Sequence, residues 1–424
     1  MVTNHYVRNY LDMRKIKTIQ DVVDWGLCVG CGACVYACNR KAVSLDNIDT
    51  IGIRPRFDKA ICQDCIECLT ICPGYITDAN LNYKNHSTEV ESSHLIGPTL
   101  EIWEGYAADQ ELRYRASSGG VLSALALYCL EEKKMGFVQH TGVNPSKPWM
   151  NRTVQSRNKD DLLACAGSRY APSSPCDSLN LIEQSDKPCI FIGKPCDTAA
   201  VTMLRKNRSK LDEKLGLVLT FFCAGPPCTQ GTLDLLRQLD IRPDQVNELR
   251  YRGYGWPGNF TVHYNNEAAQ KSLTYKESWG KLAQYHRSFR CHLCPDGLGE
   301  LADISCGDAW HRYTNNGNPG ISLVMVRSQK GREILHGAVK AGYLHMEKSD
   351  SSEVLAAQGL PERRKEVFGR LLAMKLLFIP TPNLVGFSLL KCWMESPLSI
   401  KLRTILGTLR RLILRGLWHS NPVY

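Results

Sequence analysis

Eight cysteines near the start of this 424-residue chain repeat one spacing twice. The two runs are Cys28-x2-Cys31-x2-Cys34-x3-Cys38 and Cys62-x2-Cys65-x2-Cys68-x3-Cys72, the second followed by Pro73. Thiolate is the soft ligand that iron–sulfur clusters select, and in such runs the fourth cysteine ligates the cluster of the other run. We therefore predict two [4Fe-4S] clusters, one on Cys28, Cys31, Cys34 and Cys72 and the other on Cys62, Cys65, Cys68 and Cys38.

The alternatives for these cysteines are a structural zinc site and a disulfide framework. Zinc sites use paired CxxC motifs, not two triplets that each carry a trailing fourth cysteine. Gly30 and Gly32 allow the backbone to turn and its amides to approach cluster sulfides. The pattern is typical of bacterial two-cluster ferredoxins, although Asn39 and not proline follows Cys38.

A third cluster is predicted from cysteines in the remainder of the chain. Cys291-x2-Cys294 supplies two thiolates, and two more are needed. Cys196 and Cys223 each follow a short apolar run that reads as a buried strand leading into a helix. Because α/β folds keep their sites at the carboxyl edge of a parallel sheet, we expect these four cysteines to meet there.

Other assignments of the later cysteines stay open at this point. Cys306 and Cys228 are alternative ligands, and zinc on the same four cysteines is an alternative metal. The remaining cysteines stand in apolar or loop surroundings without an evident partner and are expected to be inert thiols. They are Cys129, Cys165, Cys176, Cys189 and Cys392.

A possible anion site lies at Arg115-Ala-Ser-Ser-Gly-Gly120, just before a helical pattern from Val121 to Lys133. Free amide groups and the helix dipole at such a start attract an anion, and glycine lets it come close. Ser117, Ser118, Gly119 and Gly120 could thus hold a dinucleotide phosphate. The alternative is a plain helix cap with a glycine turn.

Elsewhere the hydrophobic pattern predicts an α+β or α/β protein. Ala42 to Phe57 reads as a strand pair turning at Gly52, and Trp103 to Ala107, Lys187 to Gly193, Val218 to Phe222 and Ile321 to Val326 read as further strands. We expect a two-cluster ferredoxin-like domain (1–80), a polar linker (81–98), a larger mixed α/β domain (99–345) and a helical C-terminal extension (346–424).

Composition limits the compartment and the partners. Nineteen cysteines and no apolar h-region in the first twenty residues favour the reducing cytoplasm. The net charge of +10 comes from 52 basic and 42 acidic residues, which suits an acidic ferredoxin as a donor. Because no Lys/Arg block is interleaved with aromatics, a nucleic-acid partner is not expected.

The C-terminal extension contains a basic amphipathic helix from Leu398 to Trp418. Lys401, Thr404, Thr408, Arg411 and Arg415 form one stripe, and Leu402, Ile405, Leu406, Leu409 and Ile413 form the opposite face. Such a helix could lie peripherally on the inner face of an anionic membrane, or dock on the protein or a partner. Phe368 to Leu390 is broken by charge and proline and is a poor membrane span.

Taken together, these motifs resemble the beta subunit family of coenzyme F420 hydrogenases and dehydrogenases, which also includes 7-hydroxymethyl chlorophyll a reductase. The resemblance covers residues 1 to about 345. It rests on the ferredoxin module and on Ser117-Ser-Gly-Gly120, Gly167-Ser-Arg-Tyr170, Gly193-Lys-Pro-Cys196, Cys291-His-Leu-Cys294-Pro-Asp296 and Ala302-Asp-Ile-Ser-Cys-Gly-Asp308.

The resemblance implies that the larger domain binds FAD beside a [4Fe-4S] cluster. Matching motifs would bring Ser117, Ser118, Gly119 and Gly120, together with Gly167, Ser168 and Tyr170, to the flavin. Lys194 would place a positive charge near the flavin or substrate, where it could stabilise the reduced ring. Asp308 is a candidate catalytic acid, and His292 and His311 are further candidates.

Three functions follow as hypotheses. The first is an iron–sulfur flavoenzyme that passes electrons from a ferredoxin-type donor through the clusters and FAD to a small organic acceptor, such as coenzyme F420 or another heterocycle or unsaturated substrate. The second is a non-catalytic relay subunit of a larger redox complex. The third is a cluster-based redox sensor, which would need no flavin.

Overall fold

A computed structural model describes residues 15–63, 65–83, 91–265, 269–314 and 319–424. The first fourteen residues of the predicted ferredoxin domain and residues 84–90 of the predicted linker lie outside the described residues. The strands and helices below are numbered in chain order.

The N-terminal domain is built around a two-stranded antiparallel sheet, as predicted. Gly52 adopts a left-handed φ of 88° as the chain turns between these strands, a conformation that glycine enters without strain. The elements of this domain are α1 (Ile19–Asp24), α2 (Ala33–Ala37), β1 (Val43–Ile48), β2 (Gly52–Phe57), α3 (Glu67–Thr70), β3 (Ile76–Asp78) and α4 (Asn80–Tyr83).

The described part of the predicted linker is folded against the larger domain. Strands β4 (Glu91–Ser93) and β5 (Gly97–Thr99) form a hairpin, and Ile96 between them is fully buried. Arg327 donates hydrogen bonds of 2.8 Å to the carbonyls of Ile96 and Pro98.

An eight-stranded mixed sheet forms the centre of the larger domain, in the order β16-β6-β15-β14-β10-β9-β7-β8. The four strands β14, β10, β9 and β7 are parallel, and the other neighbours are antiparallel. These eight strands are β6 (Glu101–Ala107), β7 (Val138–Asn144), β8 (Lys147–Ser156), β9 (Cys189–Gly193), β10 (Leu215–Phe221), β14 (Ile304–Asp308), β15 (Ser322–Val326) and β16 (Leu344–Ser349). A separate antiparallel sheet contains β11 (Val246–Arg250), β12 (Phe260–Tyr264) and β13 (Ala269–Leu273).

Helices cover both faces of the central sheet. The helices of the larger domain are α5 (Gln110–Arg115), α6 (Val121–Glu131), α7 (Lys159–Ala164), α8 (Leu179–Glu183), α9 (Pro195–Arg205), α10 (Ser209–Lys214), α11 (Thr229–Gln238), α12 (Tyr275–Tyr285), α13 (Phe289–His292) and α14 (Gln329–Lys340). Side chains along β10 alternate: Leu217 and Leu219 join the core beneath Leu125 of α6, and Val218 joins the opposite core with Leu204 of α9. The predicted α/β architecture is therefore confirmed.

The predicted strand–cysteine–helix junctions lie side by side. Strands β9 and β10 are parallel neighbours, with Gly193 opposite Thr220, so both lead to the same sheet edge. Helix α9 begins at Pro195, so that Cys196 lies in its first turn. The Asp197 carboxylate accepts the Lys194 amide at 2.8 Å, and proline at the first helical position is already set for a helix.

The C-terminal extension packs against the N-terminal domain. Strand β17 pairs in parallel with β3, and Met374, Ile379 and Leu412 share a core with Leu27 and Cys72. Its elements are α15 (Ser351–Ala357), α16 (Leu360–Leu376), β17 (Asn383–Val385), α17 (Leu389–Met394) and α18 (Leu398–Leu414). Among the described residues, no helix is both long and apolar enough to cross a membrane.

The predicted amphipathic helix is present as α18. It packs against the protein through part of its polar stripe, and much of its apolar face is exposed. Thr404 and Thr408 of the predicted polar stripe are buried, and their hydroxyls donate to the carbonyls four residues earlier at 2.7 Å. The apolar residues Leu402, Leu406 and Ile413 remain more than half exposed. The helix is thus docked on the protein with its apolar face outward.

Candidate functional site

The first predicted cluster set converges in the N-terminal domain. Cys28, Cys31, Cys34 and Cys72 line one small cavity of about 20 Å³. The pKa of Cys34 is raised, first by burial and then by the charges of the other three thiols. Four thiols packed this closely fit a cubane, whose irons would bind them as thiolates.

The second predicted set lies nearer the surface. Burial, and then the neighbouring thiols Cys65 and Cys62, raise the pKa of Cys68 to about 11, with a smaller effect from Cys38. Cys65 is exposed, whereas Cys28, Cys31 and Cys72 of the first set are buried. A cluster on this set would therefore be the more accessible of the two to an external protein.

Cys176, which was expected to be an inert thiol without a partner, contacts the first set instead. Its thiol is hydrogen-bonded to Cys31, and this contact is the main cause that lowers the pKa of Cys31. Its backbone amide also donates to the Cys31 carbonyl at 3.0 Å. Sequence spacing could not reveal this contact, because the two residues come from separate domains.

The proposed third set also converges. Cys196, Cys223, Cys291 and Cys294 line a single cavity of about 50 Å³. Burial, followed by the charge of Cys291, raises the pKa of Cys223 to about 12. The Gly225 amide donates to the Cys223 sulfur at 3.4 Å, the kind of contact that cluster ligands receive.

Of the alternative ligands, neither Cys228 nor Cys306 lines this cavity. Cys306 is buried within β14, opposite Phe221 of β10, and burial raises its pKa. Cys228 lines a different cavity and lies 3.8 Å from His286. The donor set with the best geometry is therefore the predicted one.

The third cysteine cavity adjoins the first cluster set. Its wall includes Val29 and Pro73, the residues that follow Cys28 and Cys72. Arg290, buried beside Cys291, donates to the Pro73 carbonyl at 2.9 Å and so ties the two domains together. The second, first and third cysteine sets thus follow one another in space from the surface to the interior.

A cavity of about 260 Å³ lies on the other side of Cys223 and is called the larger cavity below, because it is larger than the third cysteine cavity. The segment from Cys223 to Pro226 borders both this cavity and the third cysteine cavity. Most of the residues that the family resemblance assigned to a flavin line it, namely Ser117, Ser118, Gly120, Gly167, Ser168, Tyr170 and Lys194. The acid candidate Asp308 lines it as well. Gly119 lies just behind them.

The amino end of α6 opens into this cavity through Gly120, Val121 and Leu122. Gly120 caps the helix with a left-handed φ of 77°, and within the described structure no side chain caps its first amides. Ser118 is instead hydrogen-bonded to Ser322 at 2.9 Å. A Cβ at Gly119 would come within 2.5 Å of the Gly105 carbonyl oxygen. The amides are thus left for an anion, which favours the anion site over the plain cap.

Arg252 connects the loops around the cavity, and no sequence motif pointed to it. Its guanidinium donates to Asp308, to the Ser117 carbonyl and, at 2.9 Å, to the Pro257 carbonyl. It is buried, and burial alone would lower its pKa, but the Asp308 carboxylate raises it above the usual range. A weak signal existed in its glycine-rich surroundings, since Gly253 and Gly255 follow it.

The Gly167–Tyr170 loop forms a second side of the cavity. The Ser168 amide donates to the Ser117 hydroxyl at 2.5 Å. The Tyr170 ring packs against Trp279, with 4.4 Å between ring centroids, and both line the cavity. A planar aromatic group could be held against such rings.

Lys194 lies at the wall of the cavity, but its ammonium is already fully hydrogen-bonded. It donates to Asp197 at 2.8 Å and to the carbonyl and hydroxyl of Ser173 at 3.0 Å. Burial disfavours its charge, but the Asp197 carboxylate outweighs this effect and raises its pKa. Lys194 is therefore a fixed positive charge between the cavity and the cysteine sets. Its three ammonium hydrogen bonds are already made within the protein, so it is not placed to donate a proton to a ligand.

The three acid candidates are not equivalent. Asp308 lines the cavity, where it also accepts the Trp256 indole at 2.8 Å. Nε2 of His311 lies 2.6 Å from Glu104 and 3.0 Å from Glu353, and His311 does not line the cavity. Burial, followed by Arg287 and other arginines, lowers the pKa of His292 to about 2. His292 is therefore neutral at ordinary pH and is a poor proton donor.

Observed features fit a flavin dinucleotide in the larger cavity. The uncapped α6 amides suit a phosphate, the pair of Tyr170 and Trp279 suits a flat ring, and fixed cations at Arg252 and Lys194 suit a ring that gains negative charge.

Sequence comparisons match three family profiles. Residues 27–76 match the 4Fe-4S dicluster domain. Residues 102–180 match the N-terminal profile of the coenzyme F420 hydrogenase/dehydrogenase beta subunit, and residues 186–352 match the C-terminal profile of the same family. The profiles thus cover the N-terminal domain and most of the larger domain.

Two curated relatives are similar over most of this chain. The coenzyme F420 hydrogenase subunit beta of Methanothermobacter thermautotrophicus is 25% identical over 305 residues, which are 68% of this chain and 99% of that protein. The coenzyme F420-dependent sulfite reductase of Methanocaldococcus jannaschii is 23% identical over 82% of this chain, but the match spans only 52% of that protein.

A solved structure has the same fold over the larger part of the chain. A chain of the F420-reducing [NiFe] hydrogenase complex from Methanosarcina barkeri superposes with a TM-score of 0.51 at 22% identity. The superposition covers 66% of this chain and 94% of that chain.

Proposed function

Because the chain belongs to the coenzyme F420 hydrogenase/dehydrogenase beta subunit family and carries a 4Fe-4S dicluster domain, we propose that it is an iron–sulfur flavoprotein oxidoreductase. Electrons enter from a ferredoxin-type donor at the exposed second cysteine set. Clusters on the first and third sets would lie between this entry point and FAD in the larger cavity, and the electrons would leave on a small organic acceptor.

The observation that carries this proposal is the shared wall from Cys223 to Pro226. It separates the third cysteine cavity from the larger cavity by the thickness of one chain segment. A bound flavin would supply the conversion between single electrons and a hydride equivalent. The protein's part is to hold the phosphates at the α6 amino end, to keep fixed cations at Arg252 and Lys194, and to exclude water.

The acceptor is proposed to be a planar heterocycle, with coenzyme F420 as the first compound to test. Three of the curated relatives are named as coenzyme F420 hydrogenase beta subunits. The side chains of Tyr170 and Trp279 offer aromatic surface at the cavity. Asp308 is proposed as the acidic group nearest the reacting ring, although its carboxylate is shared with Arg252.

A second candidate function is an electron-relay subunit that has no small-molecule substrate of its own. It is favoured by the names of several relatives, which describe them as subunits.

Anaerobic spectroscopy distinguishes the two functions. Reduced ferredoxin should bleach a flavin absorbance band in both cases. Recovery on adding coenzyme F420 alone supports the oxidoreductase, whereas recovery only with a protein partner supports the relay. A protein that takes up no flavin would contradict both.

Helix α18 is proposed to touch the surface of an anionic membrane. Leu402, Leu406 and Ile413 are exposed along one face, and Arg403 and Arg410 lie exposed beside them. Apolar burial and attraction to anionic lipid act together on such a face. The protein should sediment with phosphatidylglycerol vesicles but not with phosphatidylcholine vesicles. Changing Leu402 and Leu406 to Ser should abolish this, whereas changing the exposed Ile51 to Ser should not.

A further inference from the structure

A cysteine, a histidine and an aspartate are aligned at the amino end of α11, outside the three cysteine sets. The Cys228 sulfur lies 3.8 Å from Nδ1 of His286. On the far side of the ring, Nε2 of His286 lies 3.2 Å from Oδ2 of Asp234. A thiol, a base within reach of its proton, and a third group that orients the base are the parts of an activated nucleophile.

The backbone holds this arrangement in place. The Cys228 amide donates to the His286 carbonyl at 3.0 Å, which fixes the two residues side by side. Gly231 lets the two segments approach, because a Cβ there would come within 3.0 Å of the His286 side chain. The second oxygen of Asp234 accepts from Gln230 and Arg237, each at 2.8 Å, so that Oδ2 remains turned to the histidine.

The thiol faces a cavity of about 420 Å³ between the N-terminal and larger domains. Arg54, Arg287 and Arg415 line it together with Lys194, and none of its described lining residues is acidic. The Nε of Arg287 is buried and has no hydrogen-bond partner among the described residues. The cavity reaches the surface beside Tyr285, whose side chain is exposed. Because Lys194 is paired with Asp197, the positive charge available to a small anion is that of the three arginines.

We propose that Cys228 is a nucleophilic thiol that exchanges with a small anionic disulfide bound in this cavity. His286 takes the Cys228 proton as the sulfur attacks one sulfur of the disulfide. The substrate S–S bond breaks as the new Cys228 mixed disulfide forms, and the departing thiolate takes the proton back from the imidazolium. The Cys228 sulfur is oxidised and the released half is reduced, so that no further electron carrier is needed.

The environment explains why a base is required. Burial raises the pKa of Cys228 above its ordinary value, so the sulfur is a protonated thiol at neutral pH. The amides at the start of α11 act in the opposite direction but do not outweigh burial. A thiol of this kind reacts slowly unless a neighbouring group removes its proton. Asp234 does not touch the substrate and acts as a positioning residue.

The test uses the whole chain, purified anaerobically with its clusters, and two disulfide probes of similar size. Dithiodiglycolate carries two negative charges, and cystamine carries two positive charges. Mass spectrometry with peptide fragmentation follows the mixed disulfide at Cys228. We expect dithiodiglycolate to react faster, and Arg415→Gln to reduce that preference. His286→Asn should slow the reaction by roughly 10²-fold or more, the usual size of a general-base effect.

Two further variants separate a chemical role from a structural one. Asp234→Asn should lower the limiting rate and leave the half-saturating dithiodiglycolate concentration unchanged. Cys228→Ser should remove the modification and keep the iron content of the unaltered protein. The proposal is overturned if Cys228→Ser loses iron, because Cys228 would then be a cluster ligand. It is equally overturned if cystamine reacts as fast as the dianion, or if His286→Asn with full iron content reacts at the original rate.

Discussion

Arg252 and Asp308 form a two-pronged ion pair at the wall of the larger cavity. Nη2 of Arg252 lies 2.6 Å from one carboxylate oxygen of Asp308, and Nη1 lies 2.9 Å from the other. The arginine side chain is only 2% exposed. Because the same guanidinium also binds the Ser117 carbonyl, the pair joins the 252–258 loop, strand β14 and the start of α6.

Breaking this pair should destabilise both the fold and the cofactor site. Arg252→Gln leaves the Asp308 carboxylate without its cation, and loss of one partner from a buried pair costs about 3–5 kcal/mol. We expect the free energy of unfolding to fall by that amount and FAD to be lost on gel filtration. The matched control is Arg242→Gln, which removes an exposed pair with Asp244 and should change stability by less than about 1 kcal/mol. Equal stability and flavin content in the two variants would refute the role of Arg252.

The role of Gly119, the glycine before the α6 N-cap, can be tested by adding one methyl group. In Gly119→Ala the new Cβ would lie 2.5 Å from the Gly105 oxygen and 2.8 Å from the Ser322 nitrogen, so the loop must move. We expect weaker FAD retention and a lower thermal midpoint. Gly280→Ala is the control, because in the middle of α12 no described atom beyond the neighbouring helix backbone lies within 4 Å of its new Cβ. There, alanine should stabilise the helix by up to about 1 kcal/mol. Unchanged flavin binding in Gly119→Ala would argue against this loop as the phosphate site.

How much of this could be predicted from the sequence depends on the range of each interaction. The cysteine runs were readable because their ligand spacing is local. The strand–cysteine–helix junctions were readable because each cysteine follows an apolar run within three residues. The Arg252–Asp308 pair could not be predicted, because the two residues are 56 positions apart and no motif relates them. Cys176 was missed for the same reason.

The orientation of α18 also lay beyond the sequence. Amphipathic spacing shows that the helix has two faces but not which edge meets the protein. Thr404 and Thr408 can be buried because each hydroxyl satisfies its hydrogen bond on its own helix, at the carbonyl four residues earlier. Two threonines of the predicted polar stripe therefore lie where the helix packs against the protein.

Cluster assignment is tested by removing one ligand of the third set. Cys291→Ser should lower the iron content from about twelve to about eight per chain, since each cubane carries four irons. The other two clusters should remain, because their cysteines belong to the N-terminal domain. Cys306→Ser, the control, alters a buried cysteine outside the cavity and should keep all the iron. If Cys306→Ser loses the iron and Cys291→Ser keeps it, the ligand set is wrong.

His140 should make stability depend on pH in the mildly acidic range. It is buried beside the larger cavity and hydrogen-bonded to Ser156 at 2.7 Å, and burial lowers its pKa to about 4. Its contribution is therefore complete above about pH 6.5, the unfolded value, and is lost as pH falls towards 4. Between pH 7 and pH 5 the protein should lose about 2 kcal/mol through this group.

The measurement is denaturant unfolding of the original protein and of His140→Gln at both pH values. The variant should lose less stability on acidification, by about the same 2 kcal/mol. His263→Gln serves as the control, because His263 lies on β12 and is only partly buried. Parallel pH profiles for the original protein and His140→Gln would contradict the expected burial of a neutral histidine.

The central claim is that twelve cysteines hold three cubanes leading to one flavin. Its most direct test is the iron, zinc and flavin content of protein purified and reconstituted without oxygen. The account predicts close to twelve irons, since each cubane holds four, together with about one FAD per chain and no zinc. Zinc in place of the third cluster, or protein that never takes up FAD, would contradict it.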